Sequence, residues 1–132
     1  MGRRNFDFLV RESTSNWLAL GFCHQKVVAS KGYSFSFGTI GHGAYMVSAN
    51  GGSWSHSKAE YNNTVKAIKF GKGDVVHASV DREGGNIVFS KNSSSEKYVL
   101  PFVEEEGDEL HPCVLFYYVN DEVEFMPAGM KQ

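Results

Sequence analysis

The side chains best suited to metal binding or covalent catalysis are five histidines and two cysteines, and their spacing decides what they can do. No two histidines have the short separation of a metal-binding pair and no CxxC motif occurs, so a metal site would require several separate strands. Cys23 and His24 are neighbours, but adjacent residues of a strand point to opposite faces and would not meet. Ser55 and His56 fail for the same reason. The sequence therefore predicts no metal, no cofactor and no nucleophile–base pair.

Paired carboxylates are a second candidate chemistry, because a hydrolase can use two of them as acid and base. Asp81 and Glu83 lie in a predicted turn, where an aspartate more commonly accepts backbone N–H bonds. The acidic run 104–109 is predicted to be a solvated loop, with an acidic rim that repels anionic partners as the alternative. Gly71-Lys72-Gly73 is not a phosphate loop, since it leads into a strand and no Ser or Thr follows the lysine. A hydrolase is accordingly the least favoured function.

Composition limits the fold and the partners. A chain of 132 residues with 42% hydrophobic residues fits one domain with a sizeable core. Abundant aromatic residues favour strands, and 14 glycines with only 3 prolines suggest many tight turns. The net charge is −2, so the chain lacks the excess of positive charge that is typical of nucleic-acid-binding domains. No apolar run is long enough to span a membrane, and residues 6–11 alternate rather than forming a signal peptide.

Alternating apolar residues predict many short strands and no convincing helix. Asn50-Gly51 predicts a tight hairpin, since both residues tolerate positive φ. The strand at 17–24 is apolar on both faces, so both faces should be covered. Residues 57–61 should hold one helical turn at most. The predicted strands are 6–11, 17–24, 33–37, 44–48, 73–81, 87–92, 110–118 and 123–125.

Short strands separated by glycine-rich turns are typical of a β-sandwich, in which loops at one end carry the binding residues.

Cys23 and Cys113 lie in apolar strands, where two buried, reduced thiols are expected. A disulfide between them stays open, because their strands could lie close together.

Five segments follow one another in a set order along the chain. They are Asn16-Trp17-Leu18-Ala19-Leu20-Gly21-Phe22-Cys23, Gly43-Ala44-Tyr45-Met46-Val47 with Asn50-Gly51-Gly52-Ser53-Trp54, Gly73-Asp74-Val75-Val76 with Val80-Asp81, Ile87-Val88-Phe89-Ser90-Lys91-Asn92, and Leu110-His111-Pro112-Cys113-Val114. In this order they resemble the SPRY domain, the core of the B30.2 module, and the resemblance spans residues 6–126.

Three departures from the family pattern accompany the resemblance. His77 and Ala78 replace the usual Gly and Cys, Ser93 replaces the usual Gly after Asn92, and no PRY segment precedes Phe6.

The resemblance implies an all-β, bent sandwich of two antiparallel sheets, similar to concanavalin-type folds. It also implies a non-catalytic protein-interaction module that holds a peptide or protein surface through loops at one edge. We expect a single domain over 6–126, flexible termini at 1–5 and 127–132, and a place in a larger adaptor or scaffold protein. The expected location is the cytoplasm, with the nucleus as the alternative.

Partner-binding residues are predicted in the loops, where aromatic rings supply contact area and polar groups fix orientation. For Trp54, packing beneath the loop is an equally weighted alternative. If Trp54 and Tyr61 contact a partner, replacing them with alanine should lower binding while stability falls little. A carbohydrate-binding, lectin-like domain is the alternative function, with the same two rings stacking on sugars. The predicted site residues are Asn50, Trp54, His56, Tyr61 and Ser94.

Overall fold

The computed structural model describes residues 3–13, 17–33, 40–62, 64–65, 67–104, 109–116 and 120–127. These segments are nearly all β, as the sequence predicted. One short helix, α1, spans Gln25–Ser30, and Ala59–Tyr61 forms a single 3-10 turn. No helix in the described segments is long and apolar enough to cross a membrane. The strands are β1 (Arg3–Glu12), β2 (Leu18–His24), β3 (Ala44–Ser48), β4 (Gly52–Ser55), β5 (Thr64–Val65), β6 (Val75–Asp81), β7 (Asn86–Lys91), β8 (Lys97–Pro101), β9 (Leu110–Phe116) and β10 (Glu122–Pro127).

The strands form two antiparallel sheets packed as a sandwich, which confirms the predicted architecture. Sheet 1 has the order β10-β1-β6-β7-β8, and sheet 2 has the order β5-β4-β3-β2-β9. The β3–β4 hairpin turns through Asn50 and Gly51, whose amide donates to the Ser48 carbonyl over 2.9 Å. The Asn-Gly signal thus placed this turn correctly, because Gly51 adopts a φ of +95°.

The core lies between the sheets and follows from period-2 alternation. In β6, Val76, Ala78 and Val80 are buried while the residues between them are partly exposed, as predicted. From sheet 2, the interior receives Phe22 and Tyr45, both fully buried. The outer face of sheet 1 is therefore half-solvated, which is usual for an antiparallel sheet.

Sheet 2 differs because its outer face is covered too. Every residue of β2 is buried, which confirms the prediction from its two apolar faces. Ala19 and Cys23 on this outer face cluster with Met46 and Trp54, and Val28 of α1 packs against them. The prediction of no helix was wrong at α1. Six residues containing two adjacent valines carry a weak helical signal, and contact with the sheet stabilises what propensity does not.

Gly21 in the middle of β2 permits the close approach of β3. A Cβ atom built at this position would lie 2.2 Å from the carbonyl oxygen of Tyr45, far inside contact distance. Only glycine leaves that space empty, so the pairing of Gly21 with Met46 depends on the missing side chain.

Some element boundaries differ from the predicted ones. β1 begins at Arg3 rather than at residue 6, and β8 (Lys97–Pro101) was not predicted. Tyr33, assigned to a predicted strand over 33–37, lies in a turn with a φ of +61°. The rest of that strand, and most of the acidic run 104–109, lie outside the described residues.

Candidate functional site

The five predicted site residues do not form one surface. Asn50 precedes β4 and His56 follows it, so the strand puts about 13 Å between them. Trp54 lies within β4 on the outer face of sheet 2, and Tyr61 ends the 3-10 turn beside that strand. Ser94, in the β7–β8 loop, shares one end of the sandwich with Asn50. The structure therefore joins Asn50 with Ser94 and separates the other three.

Asn50 and Ser94 lie along two adjoining depressions that we name the loop-end groove. Their volumes are about 320 and 290 Å³, and both are lined by Lys69 and Lys91. Asn50 and Asp74 line the first depression, and Ser94 lines the second together with Glu96. Loops from both sheets therefore contribute to one polar surface.

A hydrogen-bonded junction of Asp74 and Asn92 holds one wall of this groove. Asp74 Oδ2 accepts from the Gly71 amide over 2.9 Å, and Asp74 Oδ1 accepts from Asn92 Nδ2 over 3.0 Å. Asn92 Oδ1 in turn accepts from the Val75 amide over 2.9 Å. Asn92 has a φ of +52°, a conformation that asparagine tolerates better than most residues. The Gly-Asp and Lys-Asn pairs thus join β6 to β7 at the groove.

A second fixed turn forms around Asn50. Its Oδ1 atom lies 2.6 Å from the Ser48 hydroxyl, which donates to it. The Gly52 amide donates to the Ser48 oxygen over 3.1 Å. These bonds engage only the Oδ1 atom of the exposed Asn50 side chain. The turn that carries Asn50 is therefore held by hydrogen bonds within the fold.

The charged side chains of the groove are two lysines and two carboxylates, so its formal charge is balanced. Lys91 Nζ lies 3.9 Å from Asp74 Oδ2, a carboxylate already satisfied by an amide and by Asn92. Lys69 is exposed and forms no ion pair with any residue that the structure describes. Glu96 adds one negative charge at the far side. Lys69 is consequently the exposed cation of the groove, whereas Lys91 is half-buried beside Asp74.

Trp54 does not offer a ring to a partner in this structure. Its side chain is 5% exposed, and its ring lies 6.5 Å from that of Trp17, centroid to centroid, in a tilted arrangement. Packing beneath the loop, the alternative weighed from the sequence, describes this position. A sugar ring could not stack on a face that is covered, so the lectin alternative loses one of its two rings.

His56 belongs to a buried polar cluster at the opposite end of β4. Its Nδ1 atom accepts from the Gly43 amide over 2.9 Å, which fixes the proton of a neutral ring on Nε2. His42 Nδ1 likewise accepts from the Ala44 amide over 3.1 Å, and its Nε2–H donates to Asn62 Oδ1 over 3.0 Å. Burial lowers the pKa of His42. These rings therefore position the start of β3.

Tyr61 is tied to the sandwich through its backbone. Its carbonyl accepts from the Ser53 hydroxyl over 2.7 Å, and that hydroxyl accepts from the Tyr98 hydroxyl over 2.8 Å. Burial raises the pKa of Tyr98. The Tyr61 ring is half-buried against the core. Ser53 thus links sheet 2 to the edge strand β8 of sheet 1.

Sequence reasoning missed Lys69, and it considered Lys91 only as one of four cations, with Arg11, Lys26 and Lys58, that could pair with acidic groups of a peptide. Single lysines on a surface carry no signal, because most do nothing specific. The one sequence feature that pointed to Lys91 is its position immediately before Asn92. The turn at Asn92 brings the end of β7 close to the 67–70 segment, which contains Lys69. Convergence of two lysines in one groove is a property of the tertiary structure.

Comparison with known proteins gives a consistent result. A family model described as the SPRY domain matches residues 4–130. The crystal structure of the SPRY domain of human HERC1 matches with a TM-score of 0.71 and 22% identity, covering 98% of this chain and 77% of that one. No curated protein sequence matches. The structural match, at this low identity, bears on the fold alone.

Proposed function

Because the chain belongs to the SPRY domain family, we propose that it binds an extended acidic segment of a partner protein in the loop-end groove. SPRY domains are commonly protein-interaction modules and are generally non-catalytic. The observation that carries the proposal is the pair of adjoining polar depressions sharing Lys69 and Lys91. A place in a larger adaptor or scaffold protein, and a cytoplasmic location, stay predictions.

Preorganisation supports this choice of site. The turns at Asn50 and Asn92 are held by hydrogen bonds within the fold, so a ligand need not order them on binding. A shallow groove suits an extended segment, whose side chains reach the lysines while its backbone meets Asn50 and Ser94. Carboxylates are the natural partners of two ammonium groups on one surface.

Binding should be tested with an array of short peptides that differ only in Asp/Glu against Asn/Gln content. We expect the acidic members to bind and their amide counterparts to bind weakly, with affinity falling as salt rises. Lys69→Glu and Lys91→Gln should each weaken binding about fivefold, the value of roughly 1 kcal/mol for an exposed ion pair. Lys58→Glu, a change at an exposed lysine near the opposite end of β4, is the matched control.

The site would be rejected if the folded Lys69→Glu and Lys91→Gln variants both bound acidic peptides with wild-type affinity. Equal binding of acidic and amide peptides would reject the acidic class of ligand. Circular dichroism of each variant establishes that the fold is intact before affinities are compared.

A further inference from the structure

Strand β9 (Leu110–Phe116) forms one edge of sheet 2. On one side it pairs with β2, and no strand lies on its other side in the segments that the structure describes. An edge strand presents a row of backbone N–H and C=O groups to any further strand that approaches it. β9 is therefore a position at which a second chain can extend the sheet.

β9 differs from the other edge strands in its lack of charge. None of its seven residues is Asp, Glu, Lys or Arg. Natural sheets protect their edges with charged side chains, prolines or very short strands. β8 begins with Lys97, β10 carries Glu122 and Glu124, and β5 spans two residues. β9 has only Pro112 near its start, so its second half is an unprotected apolar edge.

The two sheets are aligned so that β9 and β10 lie at the same side of the sandwich. The rings of Phe6 in β1 and Phe22 in β2 are 5.5 Å apart, so these two strands face each other. The Tyr98 hydroxyl of β8 donates to the Ser53 hydroxyl of β4 over 2.8 Å, which places β8 against β4. The strands beyond β1 and β2, namely β10 and β9, therefore form one side.

Two phenylalanines at this side are exposed although they occupy inward-facing positions. Phe116 of β9 lies opposite the core residue Leu18 in the register, yet its side chain is 45% exposed. Phe125 of β10 lies opposite the core residue Phe8 and is 41% exposed. Exposed apolar side chains grouped on one surface, unlike single ones, mark an interaction site.

The outer face of sheet 2 adds a second apolar surface beside β9. Cys113 and Leu115 of β9 line a groove of about 270 Å³ together with Val28, Ala44 and Met46. Successive side chains of a strand point to opposite faces of its sheet. A strand added to β9 would therefore direct one set of side chains toward this groove and the other set toward the exposed phenylalanines.

Charge selects the strand that fits. A charged side chain placed against an uncharged apolar edge loses water without gaining a partner, so the matching strand is itself uncharged and apolar. The chain carries such a strand at its own surface, namely β9 of a second copy. Pairing β10 with β10 would instead bring Glu122 and Glu124 close to the same carboxylates of the other copy. We propose that two copies of this chain associate through antiparallel pairing of their β9 strands.

This association has a closed, two-fold geometry. The same strand is used by both copies, so the pairing consumes the uncharged edge of each and forms one continuous sheet with five strands from each copy. One strand pair with the neighbouring rings forms a small interface, and small interfaces are typically weak. We therefore expect a discrete dimer with a dissociation constant in the micromolar range.

Sedimentation of the reduced protein, from about 10 µM to about 1 mM, tests the proposal. A reductant is included so that no intermolecular disulfide contributes. We expect a concentration-dependent change from monomer to dimer and no larger species. A protein that stays monomeric at about 1 mM, or one that forms open-ended aggregates, would overturn the proposal.

Substitutions at the edge identify the surface. Phe116→Lys should weaken dimerisation by about tenfold or more, because it places like charges from both copies in one interface. His111→Lys, at the exposed position near the other end of β9, should act in the same direction. Val99→Lys is the matched control, since Val99 is 44% exposed on the edge strand β8 and should leave dimerisation unchanged. Wild-type dimerisation in folded Phe116→Lys and His111→Lys proteins would exclude β9.

Amide hydrogen exchange distinguishes strand pairing from contact between side chains alone. The β9 amides that do not bond to β2 should exchange more slowly as the protein concentration rises, because the second copy accepts their hydrogen bonds. A dimer in which the exchange of β9 is independent of concentration would contradict strand pairing. No described residue of β9 lines the loop-end groove, so these results are independent of the proposed peptide binding.

Discussion

The side chain of Asn92 donates a hydrogen bond to the carboxylate of Asp74, with Nδ2 and Oδ1 3.0 Å apart. Asp74 immediately precedes β6 and Asn92 immediately follows β7, so this single contact joins the two strands where they enter the loops. The Asn92 amide also donates to the Val75 carbonyl over 2.8 Å. One residue pair therefore fixes the strand ends and one wall of the loop-end groove.

Two substitutions of Asn92 should separate the contribution of its side-chain hydrogen bonds to the unfolding free energy from the contribution of its backbone conformation. Asn92→Gly keeps the φ of +52° accessible but removes two side-chain hydrogen bonds, which should cost about 1–2 kcal/mol of unfolding free energy. Asn92→Ala should cost more, because alanine resists positive φ. Urea unfolding measures both. An alanine variant as stable as the glycine variant would contradict the assigned strain.

Two glycines allow a matched test of close approach. Gly21→Ala should destabilise the fold by more than about 3 kcal/mol or prevent folding, because the new Cβ meets the Tyr45 carbonyl at 2.2 Å. Gly73 has a φ of +89° but open space around its Cα, so Gly73→Ala should cost only about 1–2 kcal/mol of backbone strain. Thermal unfolding of the two variants gives the comparison. Equal losses would show that contact with β3 does not require Gly21.

Trp54→Ala should lower stability substantially, contrary to what an exposed contact residue would do. Truncating a buried tryptophan leaves a cavity and typically costs about 3–5 kcal/mol. Asn50→Ala is the control, since an exposed turn side chain should cost about 1 kcal/mol or less. Denaturant midpoints for the two variants measure the difference. A Trp54→Ala protein of near wild-type stability would mean that the ring is not packed as described.

Protonation of His42 should weaken the fold in acid. Its pKa is lowered in the folded state by burial, so the unfolded chain binds this proton more readily. The stabilising contribution is complete above about pH 6.5, the ordinary histidine pKa, and is lost as pH falls through the lower folded-state value. A protonated Nδ1 would also face the Ala44 amide donor.

The measurement is the unfolding free energy of wild type and His42→Asn as a function of pH. Asparagine keeps an acceptor near the Ala44 amide but does not titrate. The stability advantage of the wild type should shrink as pH falls below about 6.5. Curves that stay parallel over this range would exclude His42 as the responsible group.

Much of the fold could be predicted from local patterns. Alternation in β6 placed Val76, Ala78 and Val80 on one face, which the structure buries, and the apolar character of both faces of β2 predicted its double coverage. Burial can be predicted from these patterns because successive side chains of a strand point to opposite faces of the sheet. α1 was missed because its stability depends on contact with sheet 2 rather than on its own sequence.

The candidate site was less predictable. Asn50 and Ser94 were selected from turn composition, and the structure brings them to one end of the sandwich. Trp54 and His56 were selected by residue type, but residue type does not say which face of a sheet is covered. The burial of Trp54 depends on Trp17 and α1, and the contacts of half-buried His56 depend on the start of β3; these partners are distant in sequence or were not recognised from it.

The sequence by itself determined the class of fold, the family and the turns, because each depends on short-range order: alternation, Asn-Gly and Gly-Asp pairs, and motifs in a set succession. Only the tertiary structure decided which side chains meet. Lys69 with Lys91, Cys23 with Cys113, and Asp74 with Asn92 each come together from separate segments. Such contacts depend on strand order and register, which arise from packing of the whole chain and not from any one segment.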